Sequence, residues 1–234
     1  ITQMGYAGEG EAVDLVNSAQ AEIYTVTGAD QAEDYVPLSL AVEAAFEEIS
    51  RAREMLDGML GVPTGFSELD AMTNGFSGGQ MIIIAARPAM GKSTLALDVA
   101  RNGSVHADAP TVFFSLEMGR AEIAMRLLSA EASVPLQTLR KGTLDTRDYQ
   151  KLAATQARIA EKPLYIDDSP NLTLVEIRAK CRRLKQQHGL RMVVIDYLQL
   201  LSSGKKSESR QQEVSEFSRS LKLLAKELDV PVIA

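Results

Sequence analysis

The chain has 234 residues, 45% of them hydrophobic and 24% charged, with a formal net charge of −6 at pH 7. These values are near the averages of globular proteins, the length suits one α/β domain with an appendage, and the negative charge argues against a surface that is basic all over. No stretch approaches the roughly 18 apolar residues of a membrane span, and a single cysteine, Cys181, excludes an internal disulfide framework and predicts a reducing, cytoplasmic compartment.

The segment before Gly61 is interpreted as helical pieces outside the main domain. Residues 1–30 hold a glycine-rich turn and then a helical stretch with apolar residues at spacings of three and four, which is too little for a core of its own. We interpret this stretch as the end of an N-terminal helical domain that lies mostly upstream. Residues 31–60 are predicted to be a linker, with a polar stretch that ends in Pro37 and then an amphipathic helix over residues 38–60.

The amphipathic helix has an apolar stripe with two possible uses. The stripe consists of Leu38, Val42, Phe46, Ile49, Leu56 and Met59. Because such a stripe must be buried, the helix either packs on its own domain or docks on a neighbouring subunit as a helix in a groove. The sequence leaves both uses open.

From Gly61 onward, apolar strands alternate with amphipathic helices. The predicted strands cover residues 81–86, 111–116, 164–167, 191–196 and 230–234. The predicted helices cover about 92–102, 120–132, 147–160, 173–187 and 211–228. This alternation predicts an α/β domain over 61–234, with a mostly parallel sheet covered by helices on both faces. We expect the domain to continue past Ala234, because its last strand should lead into a loop.

Residues 86–93 predict a phosphate-binding loop. They read Ala-Arg-Pro-Ala-Met-Gly-Lys-Ser between an apolar strand and a helix, which is the arrangement of a P-loop. In such a loop the backbone N–H groups and the helix N-terminus hold phosphate oxygens, the lysine bridges the outer phosphates and the serine hydroxyl binds Mg²⁺. The predicted nucleotide-binding residues here are Ala89, Met90, Gly91, Lys92, Ser93 and Thr94. The alternative is a chance Gly-Lys-Ser in a loop, which the surrounding strand and helix disfavour.

One position departs from the general P-loop pattern. The pattern has glycine five residues before Gly91, and this chain has Ala86. Because alanine enters the positive φ region less readily than glycine, we expect ordinary backbone angles at Ala86.

Two carboxylates follow the ends of other predicted strands. Glu117 comes directly after the second predicted strand, and Asp196 is the last residue of the fourth. Because parallel strands end at one edge of a sheet, we expect both side chains near the P-loop. Asp196 is predicted to hold Mg²⁺ opposite Ser93, and Glu117 to be the general base that activates the attacking water. The alternatives are a helix-capping or loop aspartate at Asp196 and a first-turn glutamate at Glu117.

Two further residues near the same edge have open roles. Arg126 lies in the helix after Glu117, where it reaches the nucleotide or forms a surface ion pair. Gln199 follows Asp196 by three residues and is predicted to sense the γ-phosphate or to line the loop toward the substrate. Both are therefore candidate ATP-binding residues.

A polar loop after Asp196 holds candidate nucleic-acid contacts. Lys205, Lys206 and Arg210 lie in or beside this loop, on the same edge of the sheet. Basic groups on such a loop can contact the phosphates of single-stranded DNA. The alternative is a solvated charged loop, and no aromatic residue interleaves the basic ones to stack on bases.

Several motifs occur together in an order that resembles one family. They are residues 61–70 (Gly-Val-Pro-Thr-Gly-Phe-Ser-Glu-Leu-Asp), 86–93 (the P-loop), 114–118 (Phe-Ser-Leu-Glu-Met), 195–200 (Ile-Asp-Tyr-Leu-Gln-Leu) and 209–214 (Ser-Arg-Gln-Gln-Glu-Val). This set resembles the bacterial replicative DNA helicases of the DnaB family over nearly the whole chain. The P-loop alone is unspecific, but Ala86 within it is also similar to that family, and the last three motifs are much more specific.

The resemblance implies a RecA-like ATPase core, a homohexameric ring and ATP-driven movement on single-stranded DNA with unwinding of the duplex at the replication fork. It implies ATP and Mg²⁺ as cofactors, and primase and a helicase loader as partners. For single residues it implies P-loop roles for Lys92 and Ser93. It also implies the catalytic base at Glu117 and the metal-holding role at Asp196. The helix over 38–60 would then dock on the adjacent subunit, and the family's arginine finger would lie beyond this chain.

Two other classes of protein share part of the pattern. A nucleotide-binding adaptor would assemble on a partner without unwinding DNA, and the candidate base Glu117 argues against it. Another RecA-like ATPase, such as a recombinase or a clock-type ATPase, would share the P-loop, and the motifs at 195–200 and 209–214 argue against it. The sequence therefore favours an ATP-dependent DNA motor.

Overall fold

The structure, a computed structural model, describes residues 36–54, 59–87, 89–170, 172–198 and 210–234. The chain divides into two compact units, Ile1–Arg51 and Ala52–Ala234. The helical stretch expected over residues 1–30 lies outside the described residues. Within the described ranges, no helix is long and apolar enough to cross a membrane.

Helix α1, Leu38–Glu54, occupies most of the range predicted for the amphipathic helix, 38–60. Met59 is not helical, so the helix is shorter than its apolar pattern predicted. The exposed apolar side chains of its stripe are Leu38, Val42, Phe46 and Ile49. The helix therefore presents an apolar surface to solvent.

Parallel strands form the sheet of the second unit. They are β1 Met81–Ile82, β2 Thr111–Ser115, β3 Leu164–Asp167, β4 Met192–Asp196 and β5 Val232–Ile233. The described sheet has five strands in the order β1-β5-β4-β2-β3, and every pairing in it is parallel. The prediction of a mostly parallel α/β sheet is confirmed, although β1 and β5 are shorter than predicted.

Helices connect these strands and cover the sheet. They are α2 Ser67–Thr73, α3 Lys92–Arg101, α4 Arg120–Ala132, α5 Leu136–Lys141, α6 Thr146–Ile159, α7 Leu174–His188 and α8 Arg210–Leu228. Helix α3 continues into a π-helical turn, Asn102–His106. The predicted helices of this unit are present within about one residue of their expected ends, and α2 and α5 were not predicted.

Hydrophobic cores lie on both faces of the sheet. On one face Phe114 of β2 belongs to a buried cluster with Ile177 of α7. On the other face the neighbouring Phe113 belongs to a cluster with Leu97 of α3 and Ile123 of α4. Because consecutive residues of a strand point to opposite faces, the continuous apolar run of β2 requires helices on both sides, as the sequence predicted.

A buried carboxylate, Asp70, binds the backbone of the segment that precedes β1. The backbone N–H and the hydroxyl of Thr64 donate to its Oδ1 at 2.8 and 2.7 Å. The N–H of Gly65 donates to its Oδ2 at 3.1 Å. The motif at 61–70 is thus a loop followed by the first turn of α2, and its last residue, Asp70, holds the two parts together.

Candidate functional site

The carboxyl ends of the parallel strands open into one cleft of about 800 Å³. Its walls come from the loop between β1 and α3, the segment after β2, and the ends of β4 and β5. The residues predicted from the sequence that line it are Ala89, Gly91, Lys92, Ser93, Thr94, Glu117, Arg126 and Asp196. The fold therefore brings these residues together at the edge where parallel α/β sheets bind ligands.

The loop before α3 has a backbone suited to an anion. Gly91 is the N-cap residue of α3 and has a φ of 87°, a left-handed conformation that favours glycine. Ala89 also has a positive φ, 64°, whereas Ala86 does not. The first N–H groups of α3 have no partner inside the helix, so they and the positive end of the helix dipole attract phosphate oxygens. Met90 in this loop is exposed and does not line the cleft.

Lys92 and Asp196 form an ion pair in the cleft. The Nζ of Lys92, the first residue of α3, is 3.0 Å from Oδ1 of Asp196, the last residue of β4. The same Nζ lies 3.8 Å from the ring centre of Tyr197, which is a cation–π contact. The Asp196 side chain is only 2% exposed, so Lys92 compensates a charge that water does not reach.

Among the residues that the structure describes, none forms a hydrogen bond with the second carboxylate oxygen of Asp196. Oδ2 is buried and unpaired among the described residues, which is costly for a carboxylate. The half-buried Ser93, next to Lys92, lines the same cleft. These two oxygen donors suit Mg²⁺, which usually takes one or two protein ligands together with phosphate oxygens and water. The described part of the chain holds no group of three or more His, Cys, Asp or Glu residues that could bind a metal ion. A metal ion at this site would therefore need phosphate oxygens and water as further ligands.

Glu117 lines the cleft from the segment after β2. Strands β2 and β4 pair so that Ser115 lies opposite Asp196, and the N–H of Leu116 donates to the carbonyl of Asp196 at 2.8 Å. This pairing holds Glu117 beside the end of β4. Glu117 is exposed, and within the described ranges no hydrogen bond or ion pair engages its carboxylate. It is therefore free to accept a proton from a water molecule in the cleft.

Arg126 on α4 lines the cleft and is also held in an ion pair. Its guanidinium donates to Oε1 of Glu122 at 2.8 and 3.3 Å. Arg140 of α5 donates to the same oxygen at 2.7 Å. The hydrogen bond from Arg126, together with the charges of both arginines, holds the pKa of Glu122 below its ordinary value. The sequence left two roles open for Arg126, an ion pair and a contact with the nucleotide. The ion pair is present, and the contact of Arg126 with a nucleotide stays a prediction.

Some residues of the cleft were not identified from the sequence. They are Arg87, Met118, Glu122 and Tyr197. Glu122 lies four residues before Arg126 on one helix, a spacing that predicts an ion pair. Tyr197 directly follows Asp196, so its position alone could have indicated it.

The remaining candidates are not placed by the structure. Gln199, Lys205 and Lys206 lie outside the described residues. Arg210 is the first residue of α8, and its side chain lies outside the described part as well. Their roles in binding ATP and DNA stay predictions.

Comparison with known proteins connects this site to one family. The family model of the DnaB-like helicase C terminal domain matches residues 61–234. The replicative DNA helicase DnaB of Leifsonia xyli subsp. xyli is 70% identical to the chain, over 100% of the chain and 51% of that protein. The replicative DNA helicase DnaC of Bacillus subtilis is 43% identical, over 100% of the chain and 52% of that protein. The chain spans about half the length of these curated relatives.

Solved structures are similar in three dimensions. One of them, described as an ATPase domain, matches with a TM-score of 0.79 and 38% identity, covering 86% of this chain and 71% of that chain. A DnaB-like replicative helicase, described with its interactions with primase, matches with a TM-score of 0.74 and 34% identity. That match covers 100% of this chain and 55% of the other. The RecA-like fold predicted from the sequence is therefore shared with these proteins.

Proposed function

This chain belongs to the DnaB-like helicase family, and we propose that it carries the ATP-hydrolysing motor of a replicative DNA helicase. One observation carries the proposal. Lys92 of the P-loop is paired with the buried Asp196 in a cleft that Glu117 also lines. A phosphate-binding loop, a candidate Mg²⁺ ligand and a candidate general base therefore share one site, as hydrolysis of a nucleoside triphosphate requires.

ATP binding uses the loop before α3 and the first turn of that helix. The N–H groups around Gly91 hold the phosphate oxygens, and the ammonium of Lys92 bridges the β- and γ-phosphates. The hydroxyl of Ser93 and the unpaired oxygen of Asp196 would hold Mg²⁺, directly or through water. When bound, Mg²⁺ supplies positive charge that neutralises the phosphate oxygens.

Hydrolysis needs a group that removes a proton from water, and Glu117 has this role. The water oxygen attacks the γ-phosphorus while one of its protons passes to the Glu117 carboxylate. The bond between the γ-phosphorus and the β–γ bridging oxygen breaks, which yields ADP and inorganic phosphate. The charge of Lys92 stabilises the negative charge that develops on the leaving oxygen.

Nucleic-acid contact is assigned to the segment that follows Asp196. Lys205, Lys206 and Arg210 contact the phosphates of single-stranded DNA. Gln199 lies between this segment and Asp196 in the sequence, and it senses the γ-phosphate. Release of the γ-phosphate after hydrolysis thereby changes how this segment contacts the single-stranded DNA. This change moves the protein along the strand.

The motor works as a homohexamer with primase and a helicase loader, in the cytoplasm. The exposed apolar stripe of α1 supports docking on an adjacent subunit. A DnaB-like replicative helicase of similar structure is described with its interactions with primase, which supports primase as a partner.

The proposed function is tested by strand displacement on forked DNA with the intact protein. We expect the duplex to separate with ATP and Mg²⁺, and to stay paired with a non-hydrolysable ATP analogue. A blunt duplex without a single-stranded arm is the matched control, and it should not be separated. Hydrolysis of ATP without displacement under any condition would contradict a DNA motor and favour another kind of RecA-like ATPase.

A further inference from the structure

The turn that carries Glu117 is closed by one buried hydroxyl. Ser115, the last residue of β2, is 2% exposed. Its hydroxyl donates to the carbonyl of Met118 at 2.7 Å and accepts from the N–H of Met118 at 3.1 Å. Glu117 lies between these two residues, so the Ser115 hydroxyl shapes the backbone from which the Glu117 side chain extends.

Contacts with two neighbouring segments also hold the chain at and just after this turn. The N–H of Leu116 is bound to the carbonyl of Asp196 on β4. Beyond the turn, the N–H of Arg120 donates to Oδ2 of Asp168 at 2.9 Å, and the Arg120 guanidinium lies 2.7 Å from Oδ1. The turn from Ser115 to Met118 itself is closed by the two hydrogen bonds of the Ser115 hydroxyl.

We propose that Ser115 is a positioning residue for the general base, because its hydroxyl holds the turn that directs Glu117 into the cleft. The inference rests on the proposed role of Glu117. Serine suits the position because a small hydroxyl offers a donor and an acceptor at once. Alanine would leave both backbone groups of Met118 without these bonds, and the turn would open.

The first experiment measures ATP hydrolysis and ATP binding by the intact protein with Ser115→Ala. Because a displacement of about 1 Å can cost about 10²-fold in rate, we expect kcat to fall about 10- to 100-fold. The Kd for ATP should change less than about two-fold, because Ser115 does not line the cleft. If Ser115→Ala does not fold, Ser115→Cys keeps the size with weaker hydrogen bonds and takes its place.

Ser104→Ala is the matched control. Ser104 is also fully buried, and its hydroxyl donates to the carbonyl of Ala100 at 2.7 Å. It lies in the π-helical turn after α3, away from the Glu117 turn. We expect kcat and Kd of this variant to match the wild type, and equal kcat for Ser115→Ala and Ser104→Ala would overturn the positioning role.

A double variant separates positioning from general loss of structure. If Ser115 acts through Glu117, adding Ser115→Ala to Glu117→Gln should change the residual kcat less than about two-fold. Independent effects would multiply instead, and that result would overturn the positioning role. Wild-type turnover in Glu117→Gln alone would overturn the proposed function of Glu117, so the two failures are distinguishable.

Discussion

At the scale of single residues, Glu117 differs from the other acidic side chains of the cleft. Asp196 is paired with Lys92, and Glu122 with Arg126, whereas Glu117 has no partner among the described residues. An amide cannot accept the proton that a carboxylate accepts. We therefore expect Glu117→Gln to keep ATP binding and to lower kcat by about 10²- to 10⁴-fold. Phosphate release at saturating ATP and the Kd for ATP measure the two effects.

Glu161→Gln provides the matched control for this change. Glu161 is exposed after α6 and does not line the cleft, so the same loss of one carboxylate there should leave kcat unchanged. Turnover at the wild-type rate in Glu117→Gln would remove Glu117 from the mechanism.

The sequence was enough to predict which residues lie in the cleft, but not which of them contact one another. Lys92 was found through the P-loop motif, and Glu117 and Asp196 were found because they lie at the ends of two other strands, which meet at one edge of a parallel sheet. The ion pair of Lys92 with Asp196, and the ring of Tyr197 over Lys92, were not found. These contacts depend on β5 lying between β1 and β4, a strand order that local patterns do not encode.

At the scale of elements, the long periodic helices were predicted well and the short ones were missed. Helices α2 and α5 have seven and six residues, too few turns to show a helical period. Strand β1 was predicted over residues 81–86 but covers only Met81–Ile82, although the N–H of Ile84 still donates to the carbonyl of Ala234 at 2.8 Å. Ile83, directly after β1, is 60% exposed and lines the cleft. In the sequence alone, an apolar residue that lines a ligand site cannot be distinguished from an apolar residue that packs in a core.

One carboxylate on α4 joins several helices. Glu131 has a side chain only 2% exposed, and Arg101 of α3 lies 2.5 Å from its Oε1. His106 of the π-helical turn is 2.9 Å from the same oxygen, and Arg158 of α6 is 2.7 Å from Oε2. Burial alone would raise the pKa of Glu131, but the hydrogen bonds from Arg101, Arg158 and His106 lower it below the ordinary 4.5.

The lowered pKa makes the stability of this helix packing depend on pH. Because the pKa of Glu131 is lower in the folded than in the unfolded protein, its charge stabilises the fold above about pH 4.5, and this contribution is lost as the pH falls through the lowered pKa. We expect Glu131→Gln to lower the free energy of unfolding by about 1–3 kcal/mol at pH 7. Urea unfolding at a series of pH values should show this difference shrinking below pH 4.5. A difference that stays constant down to about pH 3 would contradict the role of the charge.

At the scale of the whole molecule, the apolar stripe of α1 indicates an assembly. Phe46 is 66% exposed and Ile49 is 64% exposed, and contiguous exposed apolar side chains usually mark an interaction site. We proposed that this stripe docks on an adjacent subunit of a homohexamer. An aspartate at Phe46 would place a charge in that interface, where burial without a partner is costly.

If the intact protein forms the proposed homohexamer, we expect Phe46→Asp to convert it into smaller species, measured as mass in solution by light scattering. Ala44→Asp is the matched control, because Ala44 lies two residues earlier on the same exposed helix and so on nearly the opposite side. The same charge there should leave the hexamer intact. Because ATP would still bind within one subunit, the Kd for ATP should change little in either variant. An intact ring in Phe46→Asp would show that the stripe of α1 does not hold the subunits together, and the helix would then have to bury it on its own domain.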